Sequence, residues 1–126
     1  VCTALQLANF WQDVTVDALK NRIYVPLDTM STFGVTEKAV LEGPSSDALK
    51  KLIGHVAART WALFNEGRPL LDDCPKSLRK ELKLVWLGGT EILRKIEAQD
   101  NDVWSRRPQV SKWDWVCLFV RLLRGI

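Results

Sequence analysis

Histidine occurs once in these 126 residues and cysteine three times. Cys2, Cys74 and Cys117 are odd in number and far apart, and no CxxC spacing occurs. That excludes a disulfide framework and a cysteine-based metal knuckle, and unpaired cysteines of this kind point to a reducing cytoplasm. The single histidine, His55, falls inside a helical pattern and reads as a packed or surface residue rather than a ligand. No apolar run is long enough to span a bilayer, and no secretory leader pattern is read at the N-terminus. No strand pattern, internal repeat or low-complexity tract competes with helix anywhere. Tyrosine also occurs once, against six tryptophans. That balance suits a core built from bulky rings and no nucleic-acid partner, because nucleic-acid readers more often interleave basic residues with Tyr or Phe. The net charge of +3 is mild and suits an anionic ligand or an anionic membrane surface.

What is present is helical periodicity. One helix is expected from the start to about Leu19, broken by the segment from Asn21 to Pro26. A short helix from Asp28 to Phe33 is closed by Gly34. Thr36 caps another turn through Leu41, and Gly43-Pro44-Ser45-Ser46 is a loop. Ser46 or Asp47 opens a long helix to Gly67, with apolar residues from Leu49 to Phe64 at helical spacing. Leu70 to Cys74 reads as a link, with Asp72 and Asp73 capping a helix opened by Pro75. That helix runs past Ile96 and carries Gly88-Gly89 mid-length, read as close packing. Ser111 caps a final apolar helix with a basic end at Arg121 and Arg124, too short to span but suited to cover the core or touch a membrane surface. The expected fold class is all-α, with antiparallel helices in one domain over 1–126. The chain opens at Val1 in apolar helical sequence with no cap. It is therefore expected to be part of a longer protein, cut before residue 1.

The first helix carries the chemistry. Asn9, Asp13 and Asp17 recur every four residues, with Gln6 on the same line, so four oxygen-bearing side chains stack along one stripe. Two carboxylates four apart repel by roughly 0.2–0.5 kcal/mol, and a cation removes that cost. Mg2+ takes one or two carboxylates together with phosphate oxygens of a substrate. Ala4, Leu7, Trp11, Val14 and Ala18 form the opposite, apolar face, so Trp11 reads as core. The competing reading leaves Asp13 and Asp17 as surface charges, with Asp17 answered by Lys20 or Asn21.

The run from Leu5 to Asp17, followed by Asn21-Arg22-Ile23-Tyr24-Val25-Pro26, resembles the squalene/phytoene synthase family. That family's second acidic motif reads approximately Q-x-x-N-x-x-R-D-x-x-x-D, followed by R-x-Y-x-P. The NFWQD variant is most similar to the hydroxysqualene synthases of bacterial hopanoid pathways, the C-type squalene synthases. Trp86-Leu87-Gly88-Gly89, Ile92 to Glu97 and Arg106-Arg107-Pro108 fit that subgroup less specifically.

The resemblance implies the C-terminal part of an isoprenoid synthase fold acting on prenyl diphosphates with Mg2+. The implied substrates are presqualene or farnesyl diphosphate. It implies Asn9, Asp13 and Asp17 as metal ligands, with Asp13 and Asp17 the catalytic carboxylates. Gln6, Arg22, Tyr24 and Arg106 are the implied substrate-binding residues. Two departures stand out. Gln12 occupies the place of the family's usual Arg, and the family's first acidic motif is absent, since no second DxxxD or DDxxD occurs. The chain alone is therefore expected to be inactive, and its uncovered apolar surface to favour self-association or the missing half. A non-catalytic helical module for protein or membrane-surface binding is the alternative reading.

Overall fold

A computed structural model describes residues 1–125. Among the described residues eight helices follow one another: α1 (Cys2–Gln12), α2 (Val14–Ala18), α3 (Leu27–Thr32), α4 (Glu37–Glu42), α5 (Asp47–Gly67), α6 (Leu70–Asp73), α7 (Lys76–Ala98) and α8 (Lys112–Arg124). No strand occurs among the described residues. The all-α expectation holds.

Side chains cap the starts of three helices. Thr36, Ser46 and Ser111 each accept a backbone N–H from the first turn of α4, α5 and α8. Such a cap contributes about 1 kcal/mol. Left-handed residues close three other helices. At Gly34 and Asn21 (φ 67° and 57°) the chain turns back through paired amide-to-carbonyl bonds, Val35 to Met30 and Arg22 to Asp17 among them. Asp100 and Asn101 do the same after α7, with the Asn101 amide on the Ile96 carbonyl.

The core is a three-helix layer. α5 runs antiparallel to both α1 and α7, as pairs along their lengths show. Trp11 meets Thr60 and Val1 meets Gly67 on one side; Phe64 meets Trp86 and Lys50 meets Asp100 on the other. Leu52, Ile53, Phe64, Leu87, Leu93 and Ile96 are fully buried between them, each worth about 1.5–3 kcal/mol over an exposed side chain. The tryptophans also close polar accounts at helix ends. Trp86 Nε1 donates to the Phe64 carbonyl in the last turn of α5 at 2.8 Å, and Trp104 Nε1 to the Val40 carbonyl in the last turn of α4 at 3.0 Å. Trp11 Nε1 donates to the buried Thr60 hydroxyl at 2.9 Å, and that hydroxyl donates to the Val56 carbonyl.

Gly88 and Gly89 permit close helix approach, as their sequence setting suggests. A Cβ on Gly89 would lie 2.5 Å from Phe64 Cζ and 3.2 Å from Leu5 Cδ1. A Cβ on Gly88 would meet only the rim of the Trp115 ring, at 3.3 Å.

Three expectations need correction. The first helix is interrupted at Asp13, whose φ of −102° and ψ of 15° leave the α region. The stripe survives because the Asp13 amide still reaches the Asn9 carbonyl, and the Asp17 amide the Asp13 carbonyl. The segment after Gly67 is not a plain link, since residues 70–73 form the one-turn α6. Asp72 and Asp73 therefore do not cap α7, which begins after Pro75 without a side-chain cap. Asp72 instead pairs with Lys83 of α7 at 3.6 Å, and its carbonyl accepts from Arg79.

Candidate functional site

The stripe of α1 and α2 faces away from the core. Gln6 and Asn9 are exposed, whereas Asp13 and Asp17 are half-buried. Trp11 lies on the opposite, buried face, as read from the sequence. Beyond α2, the turn at Asn21 folds the chain back along the helix it has just left. The Tyr24 ring then stacks on Phe10 at 4.3 Å with an interplanar angle of 2°. Asp17, Arg22 and Tyr24 meet with Phe10 and Val14 around one crevice of about 10 Å³, barely room for a water. Arg22 and Tyr24 thus stand beside the Asp17 end of the stripe. The Asp17 carboxylate forms no ion pair among the described residues, with Lys20 or any other cation.

Asp13 has a partner that the sequence pattern did not single out. Arg107 donates from Nε at 2.9 Å, and its Nη2 lies 2.8 Å away, both on the same Asp13 oxygen, Oδ1. Oδ2 has no protein partner among the described residues. Arg106, the expected arginine, is exposed. Its carbonyl accepts from Gln99. Arg107, not Arg106, stands against the stripe.

Two glutamine amides hold Arg107 there. Gln99 Nε2, at the end of α7, donates to the Arg106 carbonyl at 2.7 Å and to the Asp102 carbonyl at 3.2 Å. Gln12 Nε2 donates to the Pro108 carbonyl at 2.8 Å. The peptide carbonyls on both sides of Arg107 are therefore fixed, one from α7 and one from α1. Within the same loop, hydrogen bonds from Ser105 hold the Asp102 carboxyl below its ordinary value. Val103 and Pro108 are buried, so the loop is anchored rather than loose.

Beside Arg107 lies a polar hollow of about 620 Å³ lined by Lys95, Gln99, Arg106, Arg107 and Ser111. Lys95 is tied to Asp114 at 2.9 Å. Hydrogen bonds from Lys95 and then Ser111 pull the Asp114 carboxyl down to about 2. The stripe thus offers oxygen donors on one side of Arg107 and a cationic hollow on the other.

The donor chemistry fits a hard divalent cation only in part. The free Asp13 Oδ2, the unpaired Asp17 carboxylate and the Asn9 amide oxygen make two carboxylates and one amide. No cluster of three or more His, Cys, Asp or Glu side chains able to hold a metal occurs among the described residues. Two carboxylates and an amide are a partial oxygen set, of the kind Mg2+ would complete with phosphate oxygens.

A model of the squalene/phytoene synthase family matches residues 1–114. The chain belongs to the squalene/phytoene synthase family. Squalene synthase HpnC from Alicyclobacillus acidocaldarius, known from its crystal structure, is 40% identical with a TM-score of 0.77. The likeness covers 80% of this chain and 38% of that one. Phytoene synthase 2 of Oryza sativa subsp. japonica, a chloroplastic protein, is 32% identical over 86% of this chain and 27% of its own length. A dehydrosqualene synthase crystallised with a ligand shares the fold, with a TM-score of 0.84 at 24% identity over 96% of this chain and 43% of that one. This squalene/phytoene synthase family member therefore spans less than half the length of each of these relatives. Arg107, Gln12 and Gln99 are the residues around Asp13 that spacing alone could not single out. The adjacent Arg106-Arg107-Pro108 run was the available signal.

Proposed function

We propose that this chain is the C-terminal part of a Mg2+-dependent prenyl-diphosphate enzyme, carrying one of the two acidic motifs that grip the diphosphate. The observation that carries the reading is the convergence of the Asp13–Asp17 stripe, Arg107, Arg22 and Tyr24 on one side of α1 and α2. Asn9, Asp13 through Oδ2, and Asp17 would hold the metal. When bound, Mg2+ supplies Lewis-acid neutralisation of charge on the departing pyrophosphate. With Nε and one N–H of Nη2 on Asp13, Arg107 would turn its remaining Nη N–H donors to phosphate oxygens. Arg22 and Tyr24 stand at the Asp17 end of the stripe and Gln6 at the other, in position to orient the diphosphate. The reaction class is heterolysis of an allylic or cyclopropylcarbinyl carbon–oxygen bond.

The 40% identity to a squalene synthase supports presqualene or farnesyl diphosphate as substrate, in triterpene or hopanoid synthesis. Gln12 is consistent with that assignment. It spends its amide on the Pro108 carbonyl and adds no charge beside the stripe. No second acidic motif is available to complete the ligand set within these residues. Incubation of the chain with Mg2+ and either diphosphate is therefore expected to give little or no product. Robust turnover by the chain alone would contradict the half-site reading.

A further inference from the structure

α1 borders a second hollow, on the face opposite the oxygen stripe. Leu7 and Trp11 of α1, with Val56 and Leu63 of α5, wall a cleft of about 360 Å³ that Tyr24 and Thr29 also line. Small-molecule pockets run from roughly 300 to 1,000 Å³, so the cleft has room for one slender ligand. It is distinct from the crevice at Asp17, although Trp11 and Tyr24 line both.

The floor of the cleft asks for hydrocarbon. The Thr60 hydroxyl accepts from Trp11 Nε1 at 2.9 Å and donates to the Val56 carbonyl at 2.8 Å, so its polar atoms are answered within the protein. Tyr24 spends one ring face on Phe10. An occupant therefore gains by burying apolar surface, about fourfold in affinity for each methylene.

The rim supplies one charge. Arg59 is the sole charged residue lining the cleft. It is exposed, and it forms no ion pair among the described residues. A guanidinium beside apolar walls, with no carboxylate among the lining side chains, complements an anion carried on a hydrocarbon tail. A neutral ligand leaves that charge unused, and a free inorganic anion leaves the walls unused.

We propose that this cleft is a second ligand site, for a slender amphiphile with one anionic head. The tail lies along Leu7, Trp11, Val56 and Leu63, and the head meets Arg59. The assignment uses none of the residues of the oxygen stripe and stands whether or not that stripe binds diphosphate.

Titration of the isotope-labelled protein with decanoate, kept below its micelle concentration, tests it. The signal is the Trp11 Nε1–H in nitrogen-15 NMR. It is expected to shift saturably, while the indole signal of Trp113, on α8, stays still. Octanoate, shorter by two methylenes, should bind about fifteenfold more weakly. R59Q and the neutral analogue decanol should each weaken binding about fivefold. A62F should abolish it with melting unchanged, because Ala62 lines the cleft and is exposed. Decyl phosphate separates two head groups: tighter binding than decanoate assigns a phosphoryl head and weaker binding a carboxyl, and either sustains the proposal. An unmoved Trp11 signal would overturn it, as would equal affinity for decanol. So would a shift indifferent to both R59Q and A62F, or one matched at Trp113, which marks detergent adsorption. A dimer dispersed by A62F, without decanoate binding, would overturn it too and assign the cleft to a second copy of the chain.

Discussion

Arg107 brings Nε and Nη2 to a single oxygen of Asp13, at 2.9 and 2.8 Å, across 94 residues of sequence. Both side chains remain about one-third exposed, so the pair is worth no more than about 1 kcal/mol to stability. Its place beside a carboxylate stripe gives it a use other than holding the fold. Arg107→Ala is expected to lower the unfolding free energy from urea titration by no more than that amount. The same substitution should strongly weaken pyrophosphate binding in the presence of Mg2+. A large loss of stability with anion binding intact would reverse the assignment.

The two glutamines should matter through Arg107. Gln12→Ala and Gln99→Ala each remove amide bonds worth about 1 kcal/mol. Each should also speed hydrogen exchange at the Arg107 Nε–H, followed by nitrogen-15 NMR, while the core amides of α5 stay protected. An Arg107 signal unmoved in both variants would mean that the loop holds itself.

Gly88 and Gly89 should respond differently to alanine. Both gain about 1 kcal/mol of helix propensity. At Gly89 the new methyl collides with Phe64, which is fully buried and cannot retreat. The net expectation there is a loss of roughly 1–3 kcal/mol in chemical denaturation. At Gly88 it meets the rim of Trp115, a ring 38% exposed and free to shift, and the expected change is close to zero.

The start of α8 should be acid-sensitive. The Asp114 carboxyl is held at about 2, below its ordinary value of 3.8, by Lys95 and Ser111. A depressed carboxylate contributes fully above the higher value, and its contribution is lost as pH falls through the lower one. Amide protection in the first turn of α8 is therefore expected to fall between pH about 4 and 2. Asp114→Asn should flatten that dependence. Protection that is pH-independent in the native chain would contradict the linkage.

Most helix boundaries were legible because short-range chemistry sets them. Thr36, Ser46 and Ser111 cap where their side chains predict, and Gly34 closes α3. The oxygen stripe was legible for the same reason, since a spacing of four residues is a local property. The one-turn α6 was missed because four residues carry too little periodicity. The break at Asp13 was missed as well. It falls where Gln12 and Asp13 reach out to the 107–108 loop, a contact made only in the folded chain. Choosing between Arg106 and Arg107 needed the same long-range information. The run held two arginines, and it did not say which of them turned toward α1.

Metal placement tests the central claim most directly. Mn2+, standing in for Mg2+, is added with inorganic pyrophosphate to the isotope-labelled chain, and paramagnetic broadening is mapped by NMR. Broadening centred on Asn9, Asp13 and Asp17, extending to Arg107 and lost in D13A/D17A, is the predicted result. Broadening centred on Asp72 and Asp73 instead, or a pattern unchanged in D13A/D17A, would contradict it.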